Sequence, residues 1–332
     1  ENGFGSFSLA PNKLKDALFI VDEVSLIGID GGSQQTNVQF GTGNLLEDLV
    51  SYVRNGLGCR LILIGDSAQL PPVGHEYSPA LSHEYMDHFG GVSWAELTTV
   101  VRQQKDSGIL YNATILRTVI AEDYESGGAL FPIENLELST DGFTDIQRIN
   151  GGELIEALTD AYDRYGEDET IVLSRSNKRA NRYNAGIRSQ NHYEDRYGLH
   201  FAQARLSFPD YNDQEISAKV CLDTLESESA SLTYEQQNAL YQGVLADYAH
   251  LTTKKKRYDA VREDLFYNAL QLKYANAITC HKSQGGQWRC VFIDNPFWQE
   301  YFTADDYKWL YTAITRAVEK VYLVNFKDDY FL

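Results

Sequence analysis

Short apolar runs alternate along the chain with stretches in which apolar residues recur every three or four positions. Leu18-Phe19-Ile20-Val21 is apolar at successive positions and ends in Asp22-Glu23. That pattern predicts a parallel strand buried on both faces. Residues 44–55 predict a helix, because Leu45, Leu46, Leu49, Val50 and Val53 fall on one stripe. Asn44 is placed to cap it, with Glu47 at the third position, and Gly56 to end it. Leu61-Ile62-Leu63-Ile64 predicts a second buried strand, running into Gly65-Asp66-Ser67. Strand, helix and strand make a βαβ unit, hence a parallel sheet with a right-handed crossover.

The same alternation returns later. Ile109, Ala113, Leu116 and Ile120 space as a helix face, and so do Leu154, Ile155, Leu158, Ala161 and Tyr162. Thr170-Ile171-Val172-Leu173 reads as a strand entering Ser174-Arg175-Ser176-Asn177, with a helix to follow. Ala277-Ile278-Thr279, Val291-Phe292-Ile293 and Val321-Tyr322-Leu323-Val324 read as strands. Thr303 with Asp306 has the form of a capping box for a helix through Trp309, Leu310, Ala313 and Ile314. Residues 191–274 differ: 204–208 and 216–222 alternate like antiparallel strands around a Pro209–Asn212 turn, and 233–248 reads as a helix. This predicts an insertion in a second α/β unit. No internal repeat with a period of about 20–50 residues is present. Two α/β sheets in sequence fit 332 residues better than one.

Composition narrows the partners. Apolar residues are 43%, enough for real cores. Lys and Arg number 29 against 47 Asp and Glu, a net charge of −18, which excludes general affinity for polyanions. Any nucleic acid must therefore meet a local groove. Cys59, Cys221, Cys280 and Cys290 form no C-x-x-C pair and read as reduced and structural, which points to the cytoplasm. No apolar run approaches the ~20 residues needed to cross a bilayer, so no membrane partner is predicted. The start, Glu1-Asn2-Gly3-Phe4-Gly5, has neither a signal peptide's basic and apolar regions nor a starting Met.

The candidate chemistry sits at strand ends. Open α/β sheets carry ligand chemistry at the carboxyl ends of their strands. There Asp22 could hold Mg²⁺, directly or through water, and Glu23 could accept a proton from an attacking water. The plain alternative is a strand end meeting solvent. The second strand ends in Gly65-Asp66-Ser67-Ala68-Gln69-Leu70-Pro71-Pro72-Val73-Gly74. Gln69 donates and accepts at once and suits a sensor of a terminal phosphate.

These segments resemble the motifs of superfamily 1 helicases, in the RecD-like branch. Asp22-Glu23-Val24-Ser25 resembles their Walker B motif and residues 65–74 resemble motif III. Leu97-Thr98-Thr99-Val100-Val101-Arg102-Gln103 resembles the strand carrying a first arginine finger. Val172–Asn177 resembles the opening of the second motor domain's core. Thr279-Cys280-His281-Lys282-Ser283-Gln284-Gly285 resembles motif V, and Tyr311-Thr312-Ala313-Ile314-Thr315-Arg316-Ala317 resembles motif VI. The order is the family order.

The resemblance implies two RecA-like parallel-sheet domains around an ATP cleft, the first incomplete (1–101), the second (102–332) with an α+β insertion at about 191–275. It implies ATP and Mg²⁺ as cofactors. Asp22 would hold the metal, with Gln69, Arg102, Arg316 and Gln287 at the nucleotide. Glu23, Gln69, Arg102 and Arg316 would be the catalytic set. A guanidinium finger is worth roughly 10³–10⁵ in phosphoryl-transfer rate. Thr279, His281, Lys282 and Gln284, with Ser174 and Arg175, would meet nucleic acid. The partners implied are single-stranded DNA and DNA junctions, followed 5′ to 3′, with subunits of a repair, recombination or mobile-element complex left open. The alternatives are a helicase-derived binding or scaffold module without ATPase activity, and an RNA helicase of the same superfamily.

Two features depart from the family. G-x-x-x-x-G-K-[ST] is missing, and no Gly-Lys dipeptide occurs. The glycine-rich Gly31-Gly32-Ser33 and Gly41-Thr42-Gly43 lack the lysine. With no starting Met, the expectation is a carboxyl-terminal portion of a RecD-like helicase. The small β-barrel of RecD-like relatives also has no clear signature near Gln190–Glu194, with 202–225 as its remaining flanks. Beyond the motifs, Lys254-Lys255-Lys256-Arg257 could touch phosphates or form a solvated helix start. Trp288, His75 and Tyr77 could stack on bases or pack in the core. Isothermal titration of the chain with Mg-ATP is expected to give binding weaker than micromolar; micromolar affinity would contradict the reading of a missing phosphate loop.

Overall fold

The computed structural model describes residues 5–29, 38–97, 106–134, 136–185, 194–208, 214–227, 229 and 231–332. Arg102 of the expected arginine-finger strand, the glycine-rich Gly31-Gly32-Ser33, and the turn at 209–212 lie outside these residues. By internal packing the chain divides into two units, Glu1–Leu173 with Cys280–Leu332, and Ser174–Thr279.

In the first unit, β1 (Gly5–Phe7) pairs parallel with β3 (Val38–Phe40), and β2 (Leu18–Val21) pairs parallel with β4 (Arg60–Leu63). The register of the second pair is Leu18↔Arg60 through Val21↔Leu63. The crossover helix α1 (Leu45–Arg54) begins as predicted, with the Glu47 N–H donating to Asn44 Oδ1 at 3.0 Å. Leu46 and Val50 meet Val24, Ala80 and Met86 in one core, with Val21, Leu61 and Leu63 packed against it. Met86 lies on the short helix α2 (His83–Asp87).

The expected burial of both strand faces is corrected here. Leu18 is 49% exposed, Ile20 61%, Ile62 43% and Ile64 44%. Apolar residues at successive strand positions imply two covering layers. Among the described residues α1 and the turns at Val24–Leu26 and Pro79–Leu81 cover one face only. Two predicted stripe residues also point outward: Leu45 is 61% exposed and Ile155 77%.

The long helix α3 (Gly108–Glu125) buries Ile109, Ala113, Leu116 and Ile120, as predicted. It is followed by β5 (Ile146–Ile149), α4 (Leu154–Tyr165) and β6 (Thr170–Ser174), and every residue of β6 is buried.

The second unit opens with α5 (Asn177–Ala185). Then β7 (Glu194–Arg196), β8 (Leu199–Phe208) and β9 (Gln214–Cys221) pair antiparallel, β8 and β9 in register from Phe201↔Cys221 to Phe208↔Gln214. After α6 (Asp223–Glu226), α7 (Tyr234–Asp247) and α8 (Lys254–Glu263), β10 (Leu270–Gln271) adds to β9 in parallel. The order β10-β9-β8-β7 makes a mixed four-stranded sheet. Leu199, Phe201 and Cys221 from the sheet meet Leu240, Val244 and Val261 from α7 and α8 in a separate core. The insertion is therefore an α+β element with its own hydrophobic interior. β11 (Ala277–Thr279) ends the unit.

The chain then returns to the first unit through β12 (Trp288–Asp294), α9 (Ala304–Ile314) and β13 (Ala317–Val324). β6, β12, β13 and β5 are neighbours in that order, all parallel. The capping box of α9 forms as predicted: the Thr303 N–H donates to Asp306 Oδ2 at 2.9 Å, and the Asp306 N–H to Thr303 Oγ1 at 3.3 Å. Tyr307 and Trp309 through Ile314 are all buried, so α9 is enclosed on every side from Trp309 onward. Among the described residues no helix is long and apolar enough to cross a membrane.

All four cysteines are free thiols; Cys59 is half-buried and the others are buried. Burial pushes the Cys290 thiol up to about 12. Titration of the native chain with a thiol reagent at pH 8 is expected to label Cys59 first. Cys221, Cys280 and Cys290 should react only after unfolding, and rapid labelling of any of those three would contradict this packing.

Candidate active site

Three loops of the first unit converge. β2 delivers Asp22 and Glu23. Asp22 is exposed, and its Oδ1 accepts the Glu23 N–H at 2.8 Å. Glu23 takes a left-handed backbone, φ 53° and ψ 38°, which non-glycine residues seldom adopt. The Val24 N–H donates to the Ile64 carbonyl at 3.0 Å, so the β2–β4 register carries on past this bend. The bend leaves Glu23 half-buried and beside the loop at Gly285. A Cβ built on Gly285 would lie 3.7 Å from Glu23 Cγ, and its φ of +79° is itself a glycine conformation.

The second loop follows β4. Asp66 accepts from Arg117 Nη1 of α3 at 2.8 Å, from the Tyr311 hydroxyl of α9 at 2.7 Å, and from the Ala68 N–H at 3.1 Å. Arg117 Nη1 also donates to the Tyr311 oxygen at 3.1 Å. Burial would lower the Arg117 guanidinium's pKa, but the Asp66 charge and Tyr311 outweigh it and raise it. Burial first, then the Asp66 charge, pushes the Tyr311 phenol up, so it stays a donor across the physiological range. At the loop's end, the Leu70 N–H donates to Thr312 Oγ1 at 2.9 Å, and Gln284 Nε2 donates to the Leu70 carbonyl at 2.8 Å. Gln69 lies between these fixed points, half-buried, and its Oε1 is buried with no hydrogen-bond partner among the described residues.

The third loop carries Arg316, just past α9 and only 5% exposed. Its Nε donates to the Thr312 carbonyl at 3.1 Å, Nη1 to the Gly286 carbonyl at 3.2 Å and Nη2 to Thr315 Oγ1 at 3.3 Å. Burial lowers its pKa, and the charge of Glu23 is the largest opposing influence. Glu23, the Gly285-Gly286 loop and Arg316 thus share one neighbourhood.

The other predicted residues distribute differently. Lys282 is exposed and His281 half-buried on the short turn Cys280–Ser283. Gln284 does not join them at the surface: it is 9% exposed, and its amide is turned onto Leu70. Gln287 is exposed. Trp288 is half-buried; a Cβ on Gly286 would fall 2.5 Å from its ring, so the indole packs down on that glycine. His75 packs near Gly28, and Tyr77 is 53% exposed. In the second unit Thr279 and Ser174 are buried, Ser174 Oγ donating to the Ser176 carbonyl at 3.0 Å, and Arg175 is half-buried. Lys254, Lys255 and Lys256 form the exposed first turn of α8.

Sequence reasoning missed Arg117, and it named Tyr311 and Thr312 within the motif VI segment without giving either a role. Arg117 adjoins the buried Leu116 at the edge of the α3 stripe, a polar residue bordering an apolar face. Tyr311 and Thr312 interrupt the apolar second half of α9, Trp309–Ile314, and that was their signal.

Residues 274–324 match the UvrD-like helicase C-terminal domain. The match spans His281 through Arg316. Among curated proteins no significant match is found. Several Pif1 helicase structures are similar. The crystal structure of Pif1 helicase from Candida albicans is 14% identical, covering 94% of this chain and 73% of that one, with a TM-score of 0.37. Pif1 helicase from Bacteroides, in complex with ADP-AlF3 and ssDNA, is 14% identical, covering 99% and 78%, with a TM-score of 0.37. A structure on unwinding at forked dsDNA by two coordinating Pif1 helicases is 15% identical, covering 98% and 77%, with a TM-score of 0.40.

Tyr311→Phe removes one donor from Asp66 without changing the ring. Chemical denaturation is expected to show a loss of about 1.5–3 kcal/mol, the range for hydrogen bonds to charged groups. A change below about 0.5 kcal/mol would mean that water replaces the hydroxyl at no cost.

Proposed function

We propose that this chain carries part of the ATP-coupled core of a DNA helicase or translocase acting on single-stranded DNA, without the lysine-bearing phosphate loop and so inactive by itself. The observation that carries the reading is the convergence of Glu23 and Arg316 on the Gly285-Gly286 loop, with Gln69 tied to the same helix through Leu70. The helicase domain matched at 274–324 supports it, since that stretch holds His281, Lys282, Gln284 and Arg316.

The residues fit a nucleotide with Mg²⁺. Among the described residues no cluster of three His, Cys, Asp or Glu could hold a metal alone. Mg²⁺ asks for less: one or two carboxylates, with substrate phosphates and water completing its shell. The exposed Asp22 meets that requirement, and the unpartnered Gln69 Oε1 is an acceptor awaiting a donor. When bound, ATP with Mg²⁺ supplies the phosphoryl group and its charge neutralisation. Glu23 accepts the proton of the attacking water, and Gln69 registers the terminal phosphate. Arg316, with Arg102, stabilises the developing charge on the equatorial oxygens. Gln287 is exposed and could reach the nucleotide sugar. The nucleic-acid contacts are assigned to Thr279, His281, Lys282, Ser174 and Arg175 as the helicase resemblance implies, although Ser174 and Thr279 are buried, and Gln284 acts through Leu70 instead.

The finer reading places 1–101 and 102–332 in two RecA-like motor domains of the RecD-like branch, moving 5′ to 3′ in the cytoplasm. Single-stranded DNA and DNA junctions are the chain's proposed partners. A second reading, a nucleic-acid-binding module without ATPase activity, draws on Arg316, whose Nε, Nη1 and Nη2 all donate to protein oxygens.

Glu23→Gln separates the readings. In the intact protein with single-stranded DNA and Mg-ATP, phosphate release should fall by about 10²–10⁴, the worth of a positioned general base, while ATP still binds. Undiminished turnover in the variant would remove Glu23 from the catalytic role. No turnover in the unmodified protein would favour the binding module. Stimulation by single-stranded RNA in place of DNA would favour the RNA helicase.

A further inference from the structure

α5 and the residues leading into it are cationic in an acidic chain. Between Arg175 and Asn184 stand four cations, Arg175, Lys178, Arg179 and Arg182, and no carboxylate. At about 100° per residue, Lys178, Arg182, Arg179 and Tyr183 fall in that order within an arc of about 140°. The opposite side carries Ala180 and Asn184, each 4% exposed. The helix therefore turns a neutral face inward and a cationic one outward. Lys178 and Arg182 are exposed; Arg179 and Tyr183 are half-buried. Arg179, Arg182 and Tyr183 line a shallow cavity of about 240 Å³.

This edge sits on a fixed support. Asn184 Nδ2 donates to the Ala277 carbonyl at 2.8 Å, and the Ala277 N–H donates back to Asn184 Oδ1 at 2.8 Å. The Asn184 amide thus completes β11 as a strand partner would. Asn181 Nδ2 donates to the Ser227 carbonyl at 3.0 Å. Lys273 Nζ donates to the same carbonyl, which brings a fifth cation beside α5. The lysine run at 254–256 differs. It occupies the first turn of α8, where the helix dipole disfavours cations, and Asp259 and Glu263 follow on the same helix.

We propose that the Lys178–Tyr183 face of α5 binds the phosphates of single-stranded nucleic acid, with Tyr183 seating a base. The assignment rests on the nucleic-acid reading above and extends it to residues outside every motif. A rise of about 1.5 Å per residue sets Lys178 and Arg182 about 6 Å apart along the helix, so that successive cations meet successive phosphates. Guanidinium forks match phosphate oxygens, and an aromatic ring beside them stacks any base. A local stripe of this kind is also what a chain of net charge −18 requires for polyanion contact.

Fluorescence anisotropy of a labelled oligothymidine, titrated with the full chain across a salt series, tests this without ATP. For single strands the slope of log K against log salt is about −0.7 per neutralised phosphate. R179Q/R182Q should flatten the slope by about 1.4, and the exposed R182Q alone by about 0.7, with circular dichroism unchanged. Tyr183→Ala should weaken binding roughly 5- to 150-fold at an unchanged slope, because stacking is not a counterion effect. K254Q/K255Q/K256Q should leave the slope as it was. A wild-type slope in both arginine variants, or loss of slope in the lysine variant, overturns the α5 assignment and leaves the helicase reading standing. No oligothymidine binding by the unmodified chain removes both.

Discussion

The shape of the loop from Asp66 to Leu70 is the constraint on which the site depends. This loop belongs to no helix or strand, so its polar atoms must find partners elsewhere or remain unpaired at a cost. They find them on elements distant in sequence. Leu70 has both backbone groups taken, one by Thr312 and one by Gln284, and Asp66 is taken by Arg117 and Tyr311. Tyr311 and Thr312 are consecutive residues of α9, so both ends of the loop are fixed to the same helix. Arg316 lies one turn further on and bonds back to the Thr312 carbonyl. Gln69 and Arg316 are therefore referred to one rigid frame, and displacing either disturbs a shared set of hydrogen bonds.

Electrostatics sharpens that frame. The Asp66 charge is held by a guanidinium and a phenol that both donate to it, a satisfied cluster that stays intact while Tyr311 keeps its proton. Arg316 is treated differently. Its donors go to carbonyl and hydroxyl oxygens, and no carboxylate hydrogen-bonds to it among the described residues. Neutral oxygens compensate a buried guanidinium less fully than a carboxylate does. Glu23 supplies part of the difference through space. A positive charge in that position retains attraction for an anion, whereas Arg117, already paired with Asp66, does not. Two arginines of one unit are thus separated into a structural and a candidate chemical role by their partners.

Much of the architecture was legible in the chain because periodicity reports which side of an element meets a neighbour. The α1 cap, the α3 stripe, the α9 capping box and the β8–β9 pairing all follow from local spacing. The faces of β2 and β4 did not, because an apolar strand says that it can be covered on both sides, not that both layers are there. Of the candidate site, the strand-end acids and Arg316 could be named from sequence, whereas the residues that hold them could not. Arg117 comes from a helix outside every motif, and its pairing with Asp66 spans a separation that no local pattern encodes. The three cations of α5, Lys178, Arg179 and Arg182, were in plain view, but only the burial of Ala180 and Asn184 shows which way they face.

Gln284 illustrates how burial revises a role read from a motif. Beside His281 and Lys282, a glutamine suggests one more polar contact to nucleic acid. Turned inward, it does something else: its amide nitrogen holds the Leu70 carbonyl, and its oxygen has no hydrogen-bond partner among the described residues. The turn that exposes Lys282 therefore continues directly into a side chain gripping the loop of Gln69. Any shift of that turn on contact with a strand must either stretch the Gln284–Leu70 bond or carry the loop with it. Because Leu70 is also bonded to Thr312, carrying the loop loads α9 and the position of Arg316. In the proposed function, the route from nucleic acid to nucleotide would then consist of one side-chain hydrogen bond and one helix. Its stiffness comes from backbone groups that have no other partner to take.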